Sequence, residues 1–222
     1  MAMFTISLNQ FIEAGQATPR GKARIVEQQL NVNKLLTPWY QLAKNRMKVY
    51  FRDVAKTGVL KQALDDLKNK VPKDDKAKNN ITVSIEAIHK VMEMGFEHIL
   101  VNGYEVLFPD QKNIEIEGIN INVNPELVYR YVEDGVVKIG ALKFHVSKSK
   151  PFGLQQSKSI ANILRIYLQE KVVGPGEVVD STLCWAYDVF GERLVHADGN
   201  VMVTAAEAKE LCKELAKIYH EI

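Results

Sequence analysis

The residues of this chain whose types and spacing could do chemistry are a few acids, lysines and histidines, none of them in a standard fingerprint. The 222 residues contain no Gly-rich phosphate loop running into Lys-Ser/Thr, no His-Glu-x-x-His, no paired Cys-x-x-Cys and no Gly-x-Ser-x-Gly elbow. Those absences remove many enzyme classes. They leave metal-dependent phosphodiester hydrolysis, which needs only a few carboxylates and a lysine converging from strands with little local signature. Asp188 draws notice because it lies between Tyr187 and Val189 in a stretch that alternates like a covered strand. A carboxylate there requires a hydrogen-bonding partner, such as a tyrosine or lysine, or a raised pKa. The best-defined basic cluster is His145, Lys148, Lys150 and Lys158 around Pro151-Phe152, with Gln155 and Gln156 at the start of the next helix. Lys148, Lys150, Gln155 and Lys158 are therefore candidate nucleic-acid-binding residues, because a helix N-terminus adds free N–H groups to the ammonium charges. Lysines flanking a strand exit for solubility are the competing account. Arg20, Lys22 and Arg24 form a smaller and equally ambiguous cluster. His89, His98, His196 and His220 lack ligand spacing, and Cys184 and Cys212 sit in apolar surroundings as expected for buried free thiols.

The elements that would position these groups are legible in the hydrophobic periodicity. Ser7 before Leu8, Phe11 and Ile12 predicts a short helix ended by Gly15 or Thr18-Pro19. A second helix follows from near Gly21, with Ile25, Val26 and Leu30 on its dry face. Trp39, Leu42, Ala43, Met47, Tyr50, Phe51 and Val54 then give the clearest helical stripe of the first half. Lys61 to Asn80 mixes lysines and aspartates around Pro72, which suits a charged helix end passing into a solvated loop. Ser84 opens a further helix that Gly95 closes in a left-handed cap. From His98 the period becomes alternating. Hairpin turns are expected at Asn102-Gly103 and Asp134-Gly135, with a bulge or bend at Gly118, so the middle of the chain reads as an antiparallel meander. Leu154 to Lys171 is a helix, Leu183 to Val189 a central strand, Gly191-Glu192 a turn, and Thr204-Ala-Ala-Glu207 a capping box for the last helix.

A helix, a meander of three strands, a helix and a further strand thus run from Ser84 to Val189. Pro125-Glu126 opens one strand, and Ala141-Leu142-Lys143 lies on the next. In that order of elements and in those two motifs, over about half its length, the chain resembles the PD-(D/E)xK nuclease superfamily. The resemblance implies that Glu126 and Lys143 are the catalytic pair, with Glu126 as a ligand to Mg²⁺. Lys143 would orient the attacking water or stabilise charge on the phosphate. Ala141 stands where the family pattern has a second carboxylate, so the metal site is expected to be degenerate, with Mg²⁺ required only if cleavage survives. Glu86, Glu115, Glu117 and Asp188 are the acids that could replace it.

Bulk properties set the frame. Hydrophobic residues make up 46% and charged residues 25%, as in an ordinary packed domain, and the formal charge of +2 gives no global pull towards nucleic acid or membrane. A nucleic-acid partner would have to be met by a local patch. The expected architecture is α+β: a mixed, mainly antiparallel sheet flanked by helices, with residues 1–80 as an N-terminal helical layer and 81–222 as the core, together able to form one continuous domain. With no long apolar window and no basic leader followed by one, no membrane association and a cytoplasmic location are expected. The functional expectation is a nuclease-like, DNA- or RNA-binding protein of bacterial or phage nucleic-acid metabolism or defence. The rival is a protein-interaction or scaffold module, including a homo-oligomer, that binds no nucleic acid.

Overall fold

A computed structural model describes residues 4–31, 39–96, 100 and 103–222. His98 and Asn102 lie outside the described residues, and with them the hairpin expected at Asn102-Gly103. The elements run β1 (Thr5–Ser7), α1 (Leu8–Gly15), α2 (Pro19–Leu30), α3 (Gln41–Arg52), α4 (Gly58–Lys68), α5 (Asp75–Met94), β2 (Glu105–Leu107), β3 (Asn113–Ile116), β4 (Ile119–Asn122), β5 (Leu127–Glu133), β6 (Val136–His145), α6 (Leu154–Lys171), β7 (Glu177–Asp188), β8 (Arg193–His196) and α7 (Val201–Glu221). The fold is α+β. No described helix is long and apolar enough to cross a membrane.

Five strands form the main sheet in the order β2-β5-β6-β7-β8. Every pairing is antiparallel except β6 with β7, where α6 supplies the crossover that a parallel pair needs. Asp134 and Gly135, both with positive φ (51° and 76°), make the tight turn between β5 and β6 that their types predict. The meander is interrupted, however. β3 and β4 leave it to form a separate three-strand sheet with β1, in the order β1-β4-β3. Gly118 is not a bulge: Glu117 and Gly118, at φ 48° and 76°, are the two-residue turn of that hairpin.

The alternation along β6 divides the core in two. Ile139 and Ala141 pack with α1, α6 and α7, whereas Leu142, Phe144 and Val146 pack with α3, α4 and α5. The N-terminal helices are shared between the two faces, α1 and α2 packing on one and α3 and α4 on the other. Aromatic contacts fix α3 to its face: Phe51 meets Phe96 edge-on at 4.8 Å, Phe96 meets Tyr187 at 5.1 Å, and Phe51 lies 5.8 Å from Phe144. Gly140 lets β7 approach β6 closely, because a Cβ there would lie 2.6 Å from Leu183 Cβ and 2.8 Å from Tyr129 Cζ. Tyr129 uses that space to donate its hydroxyl to the Leu183 carbonyl at 3.0 Å.

Three helix starts differ from expectation for local reasons. Thr18 caps α2 rather than ending α1, its hydroxyl accepting from Gly21 N while Pro19 occupies the first turn, where its missing N–H costs nothing. Asp74 caps α5 by accepting from Ala77 N at 2.6 Å, so the charged stretch is helical well before Ser84, which is buried mid-helix. α7 begins at Val201, and Thr204, instead of capping it, is buried and accepts from Asn162 Nδ2 at 3.0 Å.

Candidate functional site

Glu126 and Lys143 face one another. The β5–β6 register pairs Leu127 with Leu142, and one step further places Glu126 opposite Lys143. The Lys143 ammonium donates to Glu126 Oε1 at 3.3 Å and to the Asn124 carbonyl at 2.8 Å, while Phe144 N donates to Glu126 Oε2 at 3.0 Å. Both side chains are largely buried, with 8% of Glu126 and 11% of Lys143 exposed. Asn124 adopts a left-handed conformation (φ 38°), tolerable for asparagine, and this turn aims its carbonyl at the lysine.

Helix α3 adds a feature that the apolar reading of its sequence passed over. Ala43, Met47 and Phe51 form its buried row, so Lys44, Lys48 and Arg52, each one position later, form the adjoining row. Successive members are about 6 Å apart along the axis. Lys48 Nζ lies 3.9 Å from Glu126 Oε1. Burial holds the Lys44 ammonium below the ordinary lysine pKa; Glu126 opposes that shift, and Lys143 and Lys48 reinforce it. One carboxylate is thus surrounded by three lysines. The signal was present in the sequence as cations at i, i+4 and i+8 beside an i, i+4, i+8 apolar row.

A cavity of about 410 Å³ opens beside this cluster. Lys48, Arg52, Lys112, Asn124, Glu126 and Phe108 contribute to its wall. Tyr167 anchors the floor loop by donating its hydroxyl to the Gln111 carbonyl at 2.7 Å. Arg52 and Lys112 make no ion pair among the described residues, and the Arg52 guanidinium instead lies 5.2 Å from the Phe108 ring centre.

The other sequence candidates are dispersed and engaged. Lys148 pairs with Glu86 at 2.6 Å, Lys150 with Glu13 at 3.7 Å, and Lys158 with Asp198 at 3.3 Å. Lys148 and Lys150 border different clefts, and Gln155 faces a third, beside α7. Lys22 of the smaller cluster is held by Glu214 at 2.6 Å. Asp188, 1% exposed, accepts from Phe152 N at 2.7 Å and from Gly191 N, so backbone rather than a tyrosine or lysine satisfies it. His145 lies beneath Phe152, ring centres 3.7 Å apart, its Nε2 donating to the Lys150 carbonyl and its Nδ1 accepting from Asn9 Nδ2. Of the acids considered as replacements at Ala141, Glu86 is taken by Lys148 and Glu117 by Lys209, and Glu115 is exposed on the smaller sheet. Burial pushes both free thiols, Cys184 and Cys212, up to about 12, which suits inert core residues. Compared with known proteins, the chain matches no family model and no curated sequence.

Proposed function

We propose that this is a nuclease-like, nucleic-acid-binding protein whose metal site is degenerate. The observation that carries the reading is the buried Glu126–Lys143 pair across adjacent strands, ringed by Lys44 and Lys48 and opening onto a basic cavity. The order around it, antiparallel β2, β5 and β6 followed by a helical crossover to parallel β7, supports the reading, although β3 and β4 are inserted between β2 and β5 and pair elsewhere. The local charge favours an anion over Mg²⁺. Both Glu126 oxygens already accept from Lys143 and Phe144 N, and the position of a second carboxylate is filled by Ala141, buried against apolar neighbours. A single carboxylate so engaged supplies little of the oxygen coordination that Mg²⁺ demands. Excess ammonium charge in a partly dry site attracts phosphate instead.

Fluorescence anisotropy with labelled DNA and RNA tests the reading. Binding at low salt that falls steeply as salt rises supports it; no binding of either at low salt overturns it. Incubation with Mg²⁺ or Mn²⁺ is expected to give no cleavage beyond that of Lys143→Ala. Cleavage lost in that variant would show that the site is a working nuclease and refute its degeneracy.

A second reading draws on a different place. A cleft of about 820 Å³ between α1, α6 and α7 is walled in part by Phe11, Ile12, Ile163 and Leu211. Nearby, Leu154 and Met202 are 53% and 80% exposed at the starts of α6 and α7. Self-association or a protein partner would cover such a surface. Light scattering showing a stable oligomer without nucleic acid would favour this reading, and a monomer would count against the self-associated form.

A further inference from the structure

We infer that the cavity beside Glu126 is a track for single-stranded nucleic acid, with Lys48, Arg52 and Lys112 on the phosphates and Phe108 as the platform on which one base stacks. The inference deepens the nucleic-acid reading and rests on it. Phe108 is 71% exposed just beyond β2, although an apolar ring in water has no partner to offset its hydration. The charged groups on its cavity wall are three cations and two carboxylates, Asp110 and Glu126. Arg52 lies over the ring, and Lys48 and Lys112 share the same cavity wall. Arg52 and Lys112 make no ion pair among the described residues. An exposed aromatic beside such cations is the combination that holds single strands, where charge follows the backbone and a ring receives a base that is not stacked in a duplex.

The geometry gives the track a direction. Lys44, Lys48 and Arg52 lie in one row on α3, from the Glu126–Lys143 pair towards Phe108. Their spacing of about 6 Å lets consecutive cations meet consecutive phosphates of an extended strand. α3 is rigid here because Met47 and Phe51, in the neighbouring row, are fully buried. The Phe108 loop is tied down from below through Tyr167 and the Gln111 carbonyl. A stacked base on Phe108 would thus set the register in which the backbone passes the buried pair. A duplex offers neither a free base face nor a flexible backbone, so it would engage only the cations.

The test is anisotropy of the full chain with a labelled oligothymidylate and with a mixed-sequence duplex. Phe108→Ala is expected to weaken oligothymidylate binding about tenfold and leave duplex binding unchanged, while Phe108→Trp preserves both. Arg52→Glu combined with Lys112→Glu should weaken both ligands and flatten the salt dependence, whereas Lys150→Glu should change little. Phe108 is exposed, so its variants should melt with the wild type, and matching melting curves verify that lost binding is not lost folding. If Phe108→Ala binds oligothymidylate like the wild type while the charge-reversed variant is impaired, the platform is refuted and the nucleic-acid reading stands. A wild type that binds only duplex, or thymidine monophosphate as tightly as the oligomer, also refutes the track. If neither polymer binds at low salt, the parent reading falls and the track with it.

Discussion

Two acids lie at the same end of β6, and the chain treats them in opposite ways. Asp188 stands beside His145 in the β6–β7 register and gives its oxygens to two backbone N–H groups, from Phe152 and Gly191. It closes a loop entering α6 and a turn leaving β7. Among the described residues Glu126 receives one backbone N–H and is otherwise met by ammonium groups beside an open cavity. The difference separates two reasons for burying a carboxylate. One whose acceptors are saturated by its own backbone holds the fold together, and one outnumbered by cations leaves charge for something else to neutralise.

Removing each acid breaks the comparison most directly. Asp188→Ala strands one buried and one half-buried donor and should cost about 3 kcal/mol, read as a lower urea midpoint, with nucleic-acid affinity of the folded protein unchanged. An unaltered midpoint would show that Asp188 is not the structural member of the pair. Glu126→Gln should cost less, about 2 kcal/mol, because it keeps the size and an acceptor but leaves Lys44, Lys48 and Lys143 facing one another. It should also tighten binding of an anionic polymer, the opposite of what a metal ligand would do. Weaker binding in that variant would argue for the metal.

The smallest effect has the reverse sign. Burial lowers the Lys44 pKa in the folded protein, so its charge opposes folding at neutral pH, and the penalty fades as pH rises through the folded pKa towards the ordinary 10.5. Lys44→Met should therefore stabilise the protein by about 1 kcal/mol at neutral pH, with a gain that shrinks in alkaline solution, and should weaken binding. A Lys44→Met protein that is less stable, or that binds equally well, would show that this lysine is held for packing.

The sequence carried the α+β architecture well where one local rule governed. Asp134-Gly135 turned as its types require, and Gly95 closed α5 with positive φ. Glu126 and Lys143 could be placed opposite one another because a short turn fixes the register of β5 and β6. What escaped depended on distant partners. Thr204 has a capping-box spacing, but Asn162 on α6 claims its hydroxyl. The alternation of β3 and β4 is indistinguishable from that of the main sheet, and only their pairing with β1 sets them apart. The lysine clusters after β6 looked free because Glu13, Glu86 and Asp198, which pair with them, are remote in sequence. The row of Lys44, Lys48 and Arg52 is legible at i, i+4 and i+8, but helical spacing alone does not say that a cation row beside an apolar one faces a buried acid on a distant strand.

The parallel pairing of β1 with β4 joins Thr5 to Asn120 and Ser7 to Asn122. During synthesis, β1 has no partner until more than a hundred further residues have been made, and it must wait for the hairpin from Asn113 to Asn122 to close before docking on it. Contacts so distant along the chain form slowly, and an unpaired strand edge is the part of a nascent protein most open to wrong partners. The smaller sheet is thus a clasp between segments far apart in sequence, and its closure is a slow, long-range step of folding.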